Sequence, residues 1–240
     1  MTTLLVAHGT RNPHGVAMIG DLAAAMSEHL RDDVRVGFVD VLGPDPAEAL
    51  DSIGESGPVT VVPAFLASGY HVRADLPAYL RQAQRTTLLA PALGPDSALA
   101  DAMVDRLLDA GWMPGEPVVL AAAGSRDPRA QADVAAMGRL LAKRVGAPVR
   151  IGFVMPAADG SGYPPVAEVV AGLRAQTRPG TRIAVATYLL ADGLFARRMH
   201  EVGADVVGDP LGLHPSVVAL ACDRAASATA AVELARPLAR

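Results

Sequence analysis

The sequence predicts an α/β protein with two pseudo-symmetric, doubly wound domains, each built on a parallel β-sheet, and with a cleft between the two domains. Three observations support this prediction. Of the 240 residues, 51% are hydrophobic and only 4% are aromatic, a composition that suits helices layered on a sheet better than an aromatic-rich β-sandwich. Short apolar runs alternate with longer helical segments, as they do in right-handed βαβ units. The same series of segments also occurs twice along the chain.

The repeat is visible when the chain is compared with itself. Three pairs of segments align: Leu4–Arg11 with Val119–Arg126, Val34–Val39 with Val149–Val154, and Phe65–Gly69 with Leu189–Gly193. The first two pairs share an offset of 115 residues and the third has an offset of 124. This change in offset predicts a short insertion in the second copy, around residues 159–162.

The two copies meet at residues 111–117, where two glycines and two prolines interrupt any helix that leaves the first copy. We therefore expect a first domain over residues 1–113, which carries the candidate metal and catalytic residues. A second domain is expected over residues 117–240, as a duplicated scaffold without those residues.

The elements of the first copy follow from its apolar runs and helix signals. Four consecutive apolar residues, Leu4–Ala7, predict a strand that is buried on both faces. The predicted strands are Thr3–His8, Val34–Val39, Val59–Phe65 and Thr87–Leu89. The predicted helices are Val16–Arg31, Pro46–Ile53, Val72–Gln84 and Ala98–Ala110, of which the last closes the first domain. Asp45 can cap the second helix, because it precedes a proline that suits the first turn. The second copy repeats this order up to an alanine-rich helix near Pro215–Ala230.

Polar side chains follow three strands of the first copy: His8 after the first, Asp40 after the second and His71 after the third. The carboxyl ends of parallel strands share one edge of a sheet, which is where ligands bind in open α/β folds. Two imidazoles and a carboxylate at that edge can hold a divalent transition metal such as iron, cobalt, nickel or zinc. Neutral imidazole also accepts protons near pH 7.

The second copy has different residues at the three aligned positions, which are Ala123, Met155 and Phe195. A residue needed for packing should be needed in both halves, so this difference favours a chemical role. A structural alternative remains for each residue, because His8 can cap its strand by hydrogen bonding, His71 can cap a helix and Asp40 can belong to a turn. A fourth candidate, His214, precedes a predicted helix; it can face the same crevice, but its position favours a role at that helix entry.

Four motifs of the first copy are distinctive together: His8–Arg11, Gly37–Asp40, Pro63–His71 and Asp75–Pro77. They resemble the sirohydrochlorin chelatase family, the CbiX/SirB-type class II chelatases, in its two-domain form. The resemblance implies an ATP-independent enzyme that inserts ferrous iron or cobalt into sirohydrochlorin, or a related tetrapyrrole, in siroheme or cobalamin biosynthesis. The divalent metal is then a substrate, and no cofactor is permanently bound.

The resemblance also implies roles for individual residues. His8 and His71 correspond to the paired histidines that bind the metal and take the pyrrole protons. Related enzymes commonly have a glutamate where this chain has the shorter Asp40, so a direct bond from Asp40 to the metal and a contact through water both stay open. Sirohydrochlorin carries many carboxylates, which four residues of this edge can orient: Arg11, Ser68, Gly69 and Arg73. The two arginines can also be solvated charges.

The composition argues against other partners. A net charge of −4 gives no electrostatic footprint for nucleic acid, and no apolar run approaches the about 20 residues of a membrane span. The single Cys222 and the lack of a basic and apolar leader predict a reducing, cytoplasmic setting. A duplicated chain can close its own cleft, so we expect that a monomer is sufficient.

Two other functions compete with the chelatase. A tetrapyrrole or metal carrier needs overlapping ligands but would bind its cargo without turnover. A histidine phosphatase has a similar strand-to-turn motif, in which an arginine immediately before the histidine binds phosphoryl oxygens. Ala7 occupies that place here, which makes the phosphatase the weaker alternative.

Overall fold

The computed structural model describes residues 2–54, 57–83 and 85–235, and these form two four-stranded parallel sheets. The first sheet has the order β2-β1-β3-β4 and the second the order β6-β5-β7-β8. The strands are β1 Thr2–Ala7, β2 Val34–Phe38, β3 Val59–Pro63, β4 Thr87–Leu89, β5 Val118–Ala122, β6 Arg150–Phe153, β7 Ala184–Tyr188 and β8 Val206–Val207. The predicted α/β class with two parallel sheets is thereby confirmed.

The helices lie between these strands. They are α1 Pro13–Leu30, α2 Pro46–Asp51, α3 Leu76–Gln82, α4 Ser97–Asp109, α5 Pro128–Val145, α6 Val166–Gln176, α7 Leu194–Met199 and α8 Pro215–Ala235, with a π-helical turn over His71–Asp75 directly before α3. The predicted helices of the first copy are all present, with ends that differ by a few residues. The predicted end at Gln84 lies outside the described residues.

The register of the two sheets confirms the sequence repeat. Leu4 in β1 pairs with Arg35 and Val61. Its aligned residue in β5, Val119, pairs with Arg150 and Val185. These are the residues that the offsets of the repeat match with each other. The insertion of the second copy lies partly in segment 154–165, which includes the predicted site, and partly in α6, which has 11 residues where α2 has 6.

The chain divides into two compact units, and their bounds differ from those of the repeat. One unit contains the residues up to Leu93 together with those from Val218 on, and the other contains Gly94–Val217. The prediction that helix Ala98–Ala110 closes the first domain is wrong, because α4 packs against α5 and β7 of the second unit. The expected domain bounds, 1–113 and 117–240, follow the repeat in the sequence. The compact units instead divide the chain after Leu93 and after Val217.

Specific hydrogen bonds tie helix α4 to the second unit and helix α8 to the first. Arg106 in α4 donates from Nη2 to the carbonyl of Leu211, 3.3 Å away in the second unit. Arg224 in α8 donates from Nε to the carbonyl of Ala92 at 3.1 Å, and from Nη2 to the carbonyl of Leu93 at 3.3 Å. Each helix thus satisfies backbone carbonyls of the unit that contains it.

The inner strands of each sheet are buried on both faces. All six residues of β1 and all five of β5 are buried, as parallel strands covered by helices should be. The core of the first unit includes Leu4, Val61 and Leu76, and that of the second includes Val119 and Val185. Full burial of one such side chain stabilises the fold by roughly 1.5–3 kcal/mol.

Helix α2 begins as the sequence predicts. The Asp45 carboxylate accepts the N–H groups of Ala47 and Glu48 at 2.9 and 2.8 Å, and Glu48 Oε2 accepts the N–H of Asp45 at 2.9 Å. This reciprocal capping box fixes the start of the helix after β2. None of the helices in the described part of the chain has both the length and the apolar character that a membrane span requires.

Candidate metal and active site

His8 lies at the carboxyl end of β1, an inner strand of the first sheet. Ala7 is buried, whereas His8 is exposed, because the chain leaves the sheet at this point. Gly9 has a φ of +96°, and a Cβ on it would lie 2.1 Å from the carbonyl oxygen of Asp40. Only glycine allows this approach, and it lets the N–H of Asp40 donate to the carbonyl of His8 at 3.0 Å. The loop after β2 is thereby held next to His8.

His71 reaches the same edge from the segment after β3. It opens the π-helical turn, and its side chain is 39% exposed. The centroids of the His8 and His71 rings are 4.7 Å apart, and the ring planes meet at 87°. Two residues that are 63 positions apart in the sequence are therefore in edge-to-face contact, at an opening that solvent reaches.

The hydrogen bonds of the two rings indicate which nitrogen of each ring carries the hydrogen. His8 Nδ1 lies 3.2 Å from the carbonyl oxygen of Gly9, and His71 Nδ1 lies 2.7 Å from Asp75 Oδ2. A carbonyl and an ionised carboxylate only accept hydrogen bonds, so Nδ1 is the donor in both rings. The Nε2 atom of each neutral ring then carries the lone pair that a metal ion or a proton needs.

The Asp40 carboxylate accepts a hydrogen bond within the turn after β2. Its Oδ1 accepts the N–H of Val41 at 2.7 Å, and Val41 has a φ of +69°, which is costly for a β-branched residue. In the part of the chain that the structure describes, no three side chains of His, Cys, Asp or Glu are grouped so that they could hold a metal together. The structure thus brings the two histidines of the predicted trio together, while Oδ1 of Asp40 bonds within its own turn, and a direct bond from Asp40 to the metal stays a prediction. A contact from Asp40 through water stays a prediction.

The four predicted substrate-binding residues lie close to the histidines in the chain. Arg11 is exposed between β1 and α1. Arg73 is exposed within the π-helical turn, and its Nε donates to the carbonyl of Ser68 at 2.7 Å. The N–H of Arg73 also donates to the carbonyl of Gly69 at 3.2 Å. The segment that carries His71 is thus tied to the loop before it.

Exposed apolar side chains lie in the loops next to the two histidines, and no motif of the sequence singles them out. Val41 is 45% exposed and Leu42 37%, both in the loop bonded to His8, and Tyr70 beside His71 is 66% exposed. Large apolar side chains next to a polar site commonly mark a binding surface. Their signal in the sequence is weak, because hydrophobic residues next to strand ends more often belong to the core.

His214 lies elsewhere, in the second unit. Its Nδ1 accepts the N–H of Ser216 at 3.2 Å, in the first turn of α8, and its Nε2 lies 3.2 Å from Asp105 Oδ2. The expected role at the helix entry is confirmed.

These features define a class: an α/β protein with two parallel sheets, one of which presents a pair of exposed imidazoles at its carboxyl edge. The family model CbiX matches residues 2–110 and 117–228. The chain therefore belongs to the CbiX family, and the family assignment made from its motifs is confirmed.

Individual proteins are similar to this chain. The sirohydrochlorin cobaltochelatase of Methanothermobacter thermautotrophicus is 36% identical over 76 residues, which are 31% of this chain and 53% of that protein. The chain thus spans about half the length of this curated relative.

Two solved structures share the fold over nearly the whole chain. SirB from Bacillus subtilis with Fe3+ has a TM-score of 0.81 at 22% identity and covers 97% of this chain and 96% of that one. CbiX, described as the terminal enzyme for biosynthesis of siroheme in denitrifying bacteria, has a TM-score of 0.68 at 21% identity, with coverages of 95% and 99%.

Proposed function

We propose that this protein inserts a divalent metal, Fe2+ or Co2+, into sirohydrochlorin or a related tetrapyrrole without using ATP. The observation that carries the proposal is the histidine pair, with ring centroids 4.7 Å apart at the exposed edge of the first sheet. The names of the relatives support it, since one is a sirohydrochlorin cobaltochelatase and another is a structure of SirB with Fe3+.

The reaction requires a group that binds a metal and also accepts protons. When the metal enters the macrocycle, two pyrrole N–H bonds break and nitrogen–metal bonds form in their place. The oxidation state of the metal does not change, and two protons must leave. Imidazole suits both tasks, because its neutral nitrogen binds divalent metals and it titrates near neutral pH. We assign both tasks to His8 and His71, which act as metal ligands and as catalytic bases.

A pair of nitrogen ligands also suits a metal that has to be handed over. Closed structural sites use four ligands, often thiolates, and retain their metal. The one cysteine, Cys222, is free and buried, and two imidazoles leave coordination positions for water and for macrocycle nitrogens. A weakly held metal can then leave the protein as its bonds to the macrocycle form.

The surroundings of the pair fit a large, flat and acidic substrate. We propose that Arg11 and Arg73, with Ser68 and Gly69, orient its carboxylates, because guanidinium groups bind carboxylates in a bidentate manner. The exposed Tyr70 can lie against the apolar face of the macrocycle, since its ring centroid is 6.4 Å from that of His71.

We also propose a cytoplasmic setting, which the free Cys222 supports. The internal repeat supports a monomer. Iron and cobalt prefer similar ligands, so the proposal includes both metals and both the siroheme and the cobalamin route.

An absorbance assay tests the proposed function. Sirohydrochlorin is mixed anaerobically with Fe2+ or Co2+ and a catalytic amount of protein, and the spectral change is followed beyond one equivalent. We expect many turnovers, at a rate above that of the double variant His8→Ala/His71→Ala. A change that stops at one equivalent would indicate the carrier instead. Hydrolysis of a phosphoester without metal would indicate the phosphatase.

A further inference from the structure

We propose that Asp75 is a positioning residue for His71, and this inference rests on the proposed function. Its carboxylate holds the imidazole in the tautomer whose Nε2 lone pair is free for the metal and for a pyrrole proton. Asp75 itself acts only through His71. The sequence motif contains Asp75, but its residue types alone assign it no role.

The contact is a charge-assisted hydrogen bond. His71 Nδ1 and Asp75 Oδ2 are 2.7 Å apart, and the two side chains are 39% and 31% exposed. Bonds from an N–H to a carboxylate are shorter and stronger than those between neutral groups. His8 has only the carbonyl of Gly9 at 3.2 Å, so the two imidazoles are held with different strength. Histidines that bind metals typically donate their second N–H to such a partner.

The local backbone brings the two side chains together. Residues 71–75 form a π-helical turn, in which the N–H of Leu76 donates to the carbonyl of His71. Residues four apart are neighbours on a helical turn, and the contact of 2.7 Å places Asp75 beside His71. Pro77 follows directly after this turn, and it has no N–H with which to donate to the carbonyl of Arg73.

Asp75 does not act as the cap of helix α3. Asp75 is the residue before α3, where an aspartate often caps the helix, yet its side chain makes no capping hydrogen bond. At the offset of the third aligned segment, Asp75 corresponds to Met199, which is buried, and His71 corresponds to Phe195. The copy without the imidazole therefore also lacks the carboxylate.

Variants at this position test the inference. We expect Asp75→Ala to weaken Co2+ binding, measured without tetrapyrrole, and to raise the KM for the metal by about 10–100-fold. The KM for sirohydrochlorin should stay within twofold of wild type. Asp75→Asn is isosteric and can still accept from Nδ1, so it should fall between Asp75→Ala and wild type, and Asp75→Glu should recover part of the loss. Asp21→Asn, an exposed aspartate on α1, is the matched control and should match wild type in every measurement.

The outcomes separate the two proposals. If Asp75→Ala and Asp75→Asn bind Co2+ and turn over like wild type, the positioning role is overturned. A lower kcat, equally raised KM values for the metal and for sirohydrochlorin, and a lowered melting temperature would together show a merely structural role. That result would also overturn the proposal. If the wild type inserts no metal but Asp75→Ala weakens Co2+ binding as His71→Ala does, the chelatase proposal fails while the positioning role of Asp75 stands.

Discussion

Gly9 and Gly124 occupy equivalent positions at the carboxyl edges of two sheets with the same strand order. Both have positive φ angles, +96° and +115°, and in each case a Cβ would meet a carbonyl oxygen of the loop from the neighbouring strand, at 2.1 or 2.2 Å. The hydrogen bonds correspond as well, since Asp40 donates its N–H to His8 and Met155 donates its N–H to Ala123. The backbone of the edge is therefore present twice.

The side chains on these two edges differ. The first edge presents His8 and His71 in ring contact, with Asp75 behind His71. The second has Ala123 and Phe195 at the aligned positions, and Met155 is 50% exposed. One backbone design thus supports two different surfaces, which shows that the scaffold does not depend on the histidines. The predictions below test this separation of scaffold from chemistry.

The largest effect is expected from removing the imidazoles. His8→Ala and His71→Ala should each lower the rate of metal insertion by at least about 100-fold, which is the scale of a lost acid–base group. Their melting temperatures should stay at the wild-type value, because His8 is exposed and His71 is 39% exposed. The rates come from the sirohydrochlorin absorbance assay and the melting temperatures from circular dichroism.

The control for this pair is His14→Ala, which removes an exposed histidine from α1 of the same unit and should leave the rate unchanged. Wild-type insertion by both site variants would show that the pair has no part in the reaction.

The glycines test the shared backbone. Gly9→Ala and Gly124→Ala should each lower the free energy of unfolding by about 2–4 kcal/mol, because each adds a strained φ and a clash with a carbonyl oxygen. Urea unfolding at 25 °C measures the loss. Among molecules that remain folded, only Gly9→Ala should reduce insertion, since only that loop holds His8. Gly20→Ala is the control, because a Cβ there meets nothing within 4 Å. A stable Gly124→Ala protein would contradict the equivalence of the two edges.

Much of this comparison could be predicted from the sequence. Unbroken apolar runs and the two offsets determine the strands, and the strand ends place His8 and His71 at one edge. The ring contact itself depends on the segment between Pro63 and His71, whose path no periodic pattern describes. The prediction succeeded because parallel topology restricts where strand ends can lie.

Other features depend on distant packing that a local pattern does not contain. The repeat suggests that α4 belongs with the sheet before it, but its apolar face, including Leu99 and Met103, packs in the second unit. Asp40 fits a metal ligand by residue type, and no sequence pattern shows that its Oδ1 also accepts the N–H of Val41. The contact between His71 and Asp75 was not predicted, although residues four apart are neighbours on a helix. The π-helical turn was not predicted, because its sequence also suits an ordinary helix.

A smaller effect is expected at the start of α2. Asp45→Ala removes a capping box and should lower the free energy of unfolding by about 1 kcal/mol. Its counterpart α6 begins after Pro165 without a side-chain cap, so the two units start this helix differently. Chemical unfolding measures the loss, and the insertion rate should not change. Asp51→Ala, at the exposed end of the same helix, is the control and should be as stable as wild type. Equal stability of Asp45→Ala and Asp51→Ala would show that the cap contributes nothing.

The smallest effect is expected from a carboxylate directly before β8 of the second sheet. Asp205 accepts the N–H of Ile183 at 2.8 Å and Nη2 of Arg174 at 2.8 Å, and these two bonds hold the pKa of Asp205 below its ordinary value. The residue at the same register of the first sheet is the uncharged Thr87.

A carboxyl group whose pKa is lower in the folded state stabilises the fold above the unfolded pKa, which is about 3.9. This contribution is lost as the pH falls through the folded pKa. Asp205→Asn should therefore be slightly less stable than wild type at pH 7, by less than about 1 kcal/mol because the side chain is partly exposed, and the difference should shrink below about pH 4. Urea unfolding of both proteins between pH 7 and pH 2.5 measures the difference in their free energies of unfolding. A difference that stays constant over that range would show that the charge of Asp205 does not stabilise the second sheet.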